Sequence, residues 1–295
     1  TSTEHEAFMK CLPKKYQDRV ISAETLAVRW LETRTDTELA LYEQICRIAH
    51  TIIAEGLSEK VIQPGVTSTE DVKWWYRERI AELKLDAWFH PSVDVTRPDP
   101  ASDEASRSFA AQTTPDANII RPGDLVHIDF GITYLRMNTD TQQNAYVLRP
   151  GETAPPAGLV EAFKKGNRLQ DILTSNFQEG RTGNEILKLT REQAIAEGLT
   201  PSIYSHPIGY HGHAAGTSIG MWDNQEHVDT GEHPLHENTC YAIELNAREK
   251  IPEWGNKEIR VMLEEDAVFK DGKVHYVDGR QKELMLIPRQ SSNRQ

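Results

Sequence analysis

Cysteine is scarce: Cys11, Cys46 and Cys240 are the only three in 295 residues, far apart and in no zinc-like pattern. That spacing supports neither a disulfide framework nor a thiolate metal site and leaves three ordinary thiols. Long apolar runs are missing as well. No stretch approaches the roughly 18–20 consecutive apolar residues that a membrane span needs. Clusters of Lys and Arg are also lacking, and the formal net charge is −12, so the basic face expected of a nucleic-acid binder is not there. The chain begins at Thr1 rather than Met, with no visible export signal, and its compartment stays open.

What is present suits a globular chain with one large core, or a large core and a small appendage: 38% of residues are apolar and 26% charged. Residues 1–34 are mixed and polar, with a short helix expected over Ala23–Leu31. From Thr35 onward Leu39, Leu41, Ile45, Ile48, Ala49, Ile52 and Ile53 recur at three- and four-residue steps and form one apolar stripe of a helix, ended by Pro64-Gly65. Thr67-Ser68-Thr69-Glu70 reads as a capping box opening a second helix that turns Val72, Trp75, Ile80 and Leu83 inward. Residues 94–118, rich in Pro, Asp, Ser and Thr, read as a long loop. Strands are expected at 125–131 and 144–148, helices at about 158–178 and 184–197, and strands at 241–246 and 258–269, with Asp271-Gly272 as a hairpin turn. The order helix–helix–strand–strand thus occurs twice, offset by about 120 residues. This predicts an α+β fold of pseudo-twofold design: one curved, mostly antiparallel sheet with helices packed outside.

Five residues carry the chemistry as a set. Asp129 lies in the strand HIDFG, and Asp140 follows in Met137-Asn138-Thr139-Asp140-Thr141, where a returning strand would bring the two carboxylates side by side. His213 sits among small residues in Gly212-His213-Ala214-Ala215-Gly216. Glu244 is an acid in the apolar strand Tyr241-Ala242-Ile243-Glu244-Leu245, and Glu264 follows Val261-Met262-Leu263. Taken singly, each acid is an ordinary strand or salt-bridge residue. Together, four converging carboxylates would repel one another and resist ionisation in an apolar setting. Two divalent cations remove that conflict, and hard oxygens plus one imidazole suit Mn, Co, Zn or Fe.

In order and spacing, HIDFG, NTD, GHAAG, YAIEL and LEEDAVF resemble the metal-binding motifs of the pita-bread metallopeptidase family, which includes methionine aminopeptidase, aminopeptidase P, prolidase and creatinase. The resemblance runs from about Asp36 to Phe269. It implies a pita-bread catalytic domain over 35–295, with 1–34 as the connector or remnant of an amino-terminal domain. It further implies two cations held by Asp129, Asp140, His213, Glu244 and Glu264, a peptide or small amide substrate, and a homodimer. Glu264 rather than Glu265 fits the last position, because the family has an apolar residue three places on, which is Ala267. Glu244 would also move the proton during amide hydrolysis. The family's substrate histidines are replaced: seventeen residues before Asp129 stands Gln112, and seven after His213 stands Gly220. His206 as a catalytic stand-in, with His90, Gln112 and Trp222 at the substrate, would compensate. The missing histidines also admit two rivals, a creatinase-like C–N hydrolase or lyase and a peptide-binding pseudoenzyme. His127, alternating with Asp129, would support a ligand or merely pack.

Overall fold

The computed structural model describes residues 2–98 and 118–289. Three helices come first, α1 (Ser2–Cys11), α2 (Lys14–Gln17) and α3 (Glu24–Glu32), followed by α4 (Asp36–Gly56) and α5 (Thr69–Glu82). Next come β1 (Ser92–Thr96), β2 (Leu125–Phe130), β3 (Thr133–Tyr134), β4 (Met137–Asn138) and β5 (Thr141–Val147). The second half repeats the order with α6 (Ala157–Ser175) and α7 (Gly183–Ala196), then β6 (Pro201–Ile203), β7 (His206–Ile208), β8 (Thr239–Ala242) and β9 (Leu245–Ile251). The strands β10 (Lys257–Leu263), β11 (Asp266–Lys270), β12 (Lys273–Tyr276) and β13 (Met285–Ile287) complete it.

Capping boxes start three of these helices. Thr35 with Glu38 opens α4 and Thr182 with Glu185 opens α7; in each the hydroxyl and the carboxylate satisfy each other's free amides. The box of α5 is shifted by one residue from the sequence expectation, to Ser68 with Asp71. The cause is strand-like pairing just upstream: the Thr67 carbonyl accepts from Ile120 N–H, and Ser68 bridges Ile119, so the backbone is still extended at Thr67. The segment read as one long loop contributes β1 at its start, paired with β2, while residues 99–117, Gln112 among them, lie outside the described residues.

The sheets are almost wholly antiparallel. One runs β1-β2-β5-β13, another β12-β11-β8-β7 and a third β10-β9-β6; among the strand pairs of the described residues, only β13–β5 is parallel. Each half packs its own helices on its own strands. Tyr42, Ile45, Ile53 and Tyr76 from α4 and α5 join Ile128, Phe130 and Val147 in one core. Leu169, Ile172, Ile186 and Leu187 from α6 and α7 join Ile203, Tyr241 and Phe269 in the other. Each fully buried side chain of this size contributes about 2 kcal/mol by leaving water, so the two cores fix the strands against each other. At the seam between the halves β5 bridges the end of β10: Gln142 N–H donates to the Glu264 carbonyl at 3.0 Å, and Glu264 N–H returns to Gln142 at 3.3 Å.

Candidate metal centre

The seam is where the chemistry gathers. Asp129 stands on β2, paired in register with Gln142 of β5, and Asp140 precedes β5 by one residue. The chain returns between them through the β3–β4 hairpin, whose two turn residues, Leu135 and Arg136, both have positive φ (51° and 69°). The reading that a tight return brings the two aspartates together therefore describes the observed path. In the second half, the segments expected as single strands are each interrupted. The first breaks between β8 and β9, at Ile243 and Glu244; the second breaks between β10 and β11, at Glu264 and Glu265. At each break a glutamate leaves the sheet pattern and turns toward the seam.

Donor atoms from Asp129, Asp140 and Glu264 lie within 4.8 Å of one another, as do those of His206, Glu244 and Glu264 and those of Asp140, His206 and His213. His206 is central. Its Nε2 lies 3.5 Å from Glu264, 3.7 Å from Asp140 and 3.9 Å from Glu244. Its Nδ1 lies 3.1 Å from the Pro207 carbonyl; a carbonyl can only accept, so Nδ1 carries the hydrogen and Nε2 keeps its lone pair. His213 meets the set through Asp140 and His206 and is exposed. Among the described residues, His206 is the only basic side chain in ion-pair range of the four acids.

Burial without cationic partners has the expected effect. Desolvation, then the neighbouring carboxylates, pushes Asp140 and Glu244 well above the usual carboxylate range, and Glu264 follows for the same reasons. Asp129 is pushed up to about 7, chiefly by burial. His206 is pulled below its ordinary value by burial and is neutral. Three buried atoms of the cluster have no hydrogen-bond partner: Asp129 Oδ1, Glu264 Oε1 and His206 Nε2. Hard carboxylate oxygens and one neutral imidazole, with unused lone pairs facing a shared space, fit a site for divalent cations.

Several neighbours were not singled out by sequence reasoning. The Gln142 amide donates to Glu244 Oε1 at 2.9 Å and to Glu264 Oε2 at 2.8 Å, and its carbonyl oxygen accepts from His127 Nε2 at 2.9 Å. His127 thus supports the acids through Gln142. The signal was available, since Gln142 is two residues from Asp140 at the start of a strand and so shares its face. Asp266 supports Asp140 by accepting its backbone N–H at 3.3 Å. On the open side Tyr204 and Trp88 flank His213, with ring centroids 5.9 and 5.7 Å away, and Trp88 is anchored by its indole N–H on the Thr139 carbonyl at 2.8 Å. The expected substrate residues nearby fare differently. His90 is exposed and packs edge-on against Trp74 at 5.7 Å, and Trp222 is 74% exposed. Neither is brought into the cluster. The neighbouring Trp88, in the same Trp88-Phe89-His90-Pro91 segment, reaches the wall beside it.

Comparison with known proteins bears on the same region. The profile of Metallopeptidase family M24 matches residues 40–271. A curated relative, the uncharacterized peptidase YqhT of Bacillus subtilis (strain 168), is 24% identical over 181 residues, covering 61% of this chain and 46% of its own length. Among solved structures, the X-Pro aminopeptidase of Thermotoga maritima MSB8 superposes with a TM-score of 0.65 at 18% identity, covering 88% of this chain and 66% of that one. The Xaa-Pro dipeptidase of Bacillus anthracis superposes with a TM-score of 0.61 at 20% identity, covering 90% and 66%. At these identities the structures show a shared fold. The chain spans about half the length of the curated relative and about two thirds of the solved chains.

Proposed function

The chain belongs to metallopeptidase family M24, and from that premise we propose that it is a peptidase using two divalent cations to hydrolyse the amide bond of an Xaa-Pro peptide. The observation that carries this reading is the convergence of Asp129, Asp140, Glu244 and Glu264 on one seam, with His206 as the only basic side chain in ion-pair range of them among the described residues. The preference for proline is drawn from the solved chains of the same fold, an X-Pro aminopeptidase and an Xaa-Pro dipeptidase.

In this reading the imidazole ligand is His206, and the pocket role expected of it belongs to His213. The orphaned, buried Nε2 of His206 near three acids supports the exchange. So does spacing: His213 is seven residues after His206, the interval at which the family carries a substrate-contacting histidine. Of the two replaced histidines, one is then present as His213, and Gly220 no longer needs explaining.

Cations held by Asp129, Asp140, His206, Glu244 and Glu264 would supply a polarised carbonyl and a water of lowered pKa. The protein's own side chains do the rest. Glu244 takes a proton from the water and returns it to the leaving nitrogen as the carbon–nitrogen bond breaks, acting first as base and then as acid. Gln142 holds Glu244 and Glu264 in register for that transfer. His213 donates a hydrogen bond to the substrate carbonyl, and Trp88 and Tyr204 give the apolar wall on which a proline ring packs.

Assay of the purified chain with Mn, Co or Zn salts against dipeptides, Xaa-Pro peptides and creatine tests the reading. Xaa-Pro hydrolysis that stops on chelation is expected. Creatine turnover instead would favour the small-molecule alternative, and cation binding with no turnover of any substrate would favour a pseudoenzyme. His206→Ala should lose both cation and activity, whereas His213→Ala should keep the cation and lose about 10- to 100-fold in kcat/KM. The reverse pattern would return the ligand role to His213.

A further inference from the structure

Helix α3 is held in an unusual way. Leu26 and Trp30 are 73% and 75% exposed, and the one residue of the helix that is buried is charged, Glu32. Apolar burial therefore does little to fix α3, and its attachment passes through a carboxylate that would be costly to bury without partners.

Two histidines face that carboxylate from the other half of the molecule. His233 and His236 flank Pro234-Leu235, and this short segment is rigid. Leu235 is fully buried, Pro234 bridges Thr182, and Leu235 exchanges backbone hydrogen bonds with Gly180 and Arg181, each at 2.8 Å. The two rings stand 5.5 Å apart. His233 Nε2 lies 3.2 Å from Glu32 Oε1, and donor atoms of Glu32, His233 and His236 all fall within 4.8 Å of one another. Glu32 Oε2 is buried and makes no hydrogen bond.

A fourth residue prepares the set. His236 Nδ1 lies 2.9 Å from Glu179 Oε1, and a carboxylate can only accept, so Nδ1 carries the hydrogen and Nε2 offers its lone pair. The same carboxylate is pinned by Glu237 N–H at 2.7 Å. A carboxylate that orients a ligating imidazole from behind is a recurrent feature of protein zinc sites.

The geometry points to a second cation site, in which Glu32, His233 and His236 bind one zinc-class divalent ion and cross-link α3 to the catalytic body. Two imidazoles and one carboxylate select zinc, cobalt or nickel over magnesium or calcium. Bond lengths of about 2.0–2.1 Å require the donors to close in by roughly 1 Å, within reach of side-chain rotation, and a water completes the tetrahedron. Arg29, whose guanidinium pairs with Glu32 at 2.6 Å, is the competitor for that charge. It is one-third exposed and can swing into solvent. Without a cation, Arg29 pairs with Glu32 and His233 contacts the same carboxylate oxygen.

The experiment is elemental analysis and calorimetric titration of the full chain with zinc chloride, comparing wild type with His233→Ala/His236→Ala. After dialysis against about 1 µM free zinc, the double variant should hold one zinc fewer per chain while its peptidase activity is unchanged. Glu179→Gln should weaken that zinc about 10-fold, and Arg29→Gln should tighten it. If the double variant misfolds, the Glu179→Gln and Arg29→Gln titrations decide the matter, since they leave the three ligands in place. Equal zinc content in the two proteins would overturn the proposal. So would a third zinc that binds only near 100 µM, or an Arg29→Gln variant that is destabilised yet binds zinc no more tightly.

Discussion

Glu264 and Glu265 are neighbours in the chain, each 1% exposed, and they live in opposite environments. Glu265 is satisfied. His50 Nε2 meets it at 2.8 Å, Gln143 Nε2 donates at 3.0 Å and Gln281 N–H donates at 2.8 Å. Glu264 has a hydrogen bond from Gln142 on one oxygen and none on the other, and it faces three more acids and a neutral histidine. The adjacent glutamines divide in the same way, Gln142 to one glutamate and Gln143 to the other, because alternate residues on a strand face opposite sides. Equal burial therefore does not mean equal function. The side on which both carboxylate oxygens are paired holds the fold, and the side left with an open carboxylate lone pair is the one built for a cation.

The contrast can be broken first at the open side. Asp140→Ala should empty the site and cut turnover by at least about 10³-fold, because a ligand and a counter-charge are lost together. Elemental analysis alongside the peptide assay checks it; activity retained in a metal-free variant would refute the scheme. A smaller effect compares the two glutamines. Gln142→Leu should lower kcat/KM by about 10- to 100-fold through misplaced Glu244 and Glu264. Gln143→Leu should leave kcat/KM unchanged and cost about 1–2 kcal/mol in urea unfolding, the consequence of removing a buried hydrogen-bond donor.

A pH-dependent effect lies on the closed side. Burial opposes the charge of His50, yet its hydrogen bonds and charge contacts with Glu265 and Asp278 raise its pKa from 6.5 to about 9. A folded-state pKa raised above the unfolded one adds stability that is fully present below pH 6.5 and is lost as pH rises through 9. His50→Gln should therefore cost about 2 kcal/mol at pH 7, allowing for partial exposure, and almost nothing extra above pH 9.5. Unfolding curves across that range read the difference directly.

Much of this was legible in the sequence. The apolar stripe of α4, the two-fold order of elements and four of the clustered acids follow from spacing and residue type alone. The choice of Glu264 over Glu265 rests on the resemblance, through Ala267, and Glu264 is the one that faces the cluster. Less accessible were features set by contacts distant along the chain. Strand breaks at Glu244 and Glu264 leave no turn residue in the sequence, and continuous apolar runs conceal them. The two histidines were difficult to tell apart for a related reason. Small residues around His213 suggest a close backbone approach, while His206 is placed by the pairing of β7 with β8, where it lies opposite Ala242. Trp88 matters because of its indole bond to Thr139, a partner fifty-one residues away.

The most direct test is cation content and Xaa-Pro hydrolysis measured side by side in Glu264→Gln and Glu265→Gln. Glu264→Gln is expected to lose both cation and activity while folding at least as stably as the metal-free wild type, since one member of a repelling set has been neutralised. Glu265→Gln is expected to keep the cation and the activity and to unfold more easily. Two variants that bind cation equally well would contradict the account.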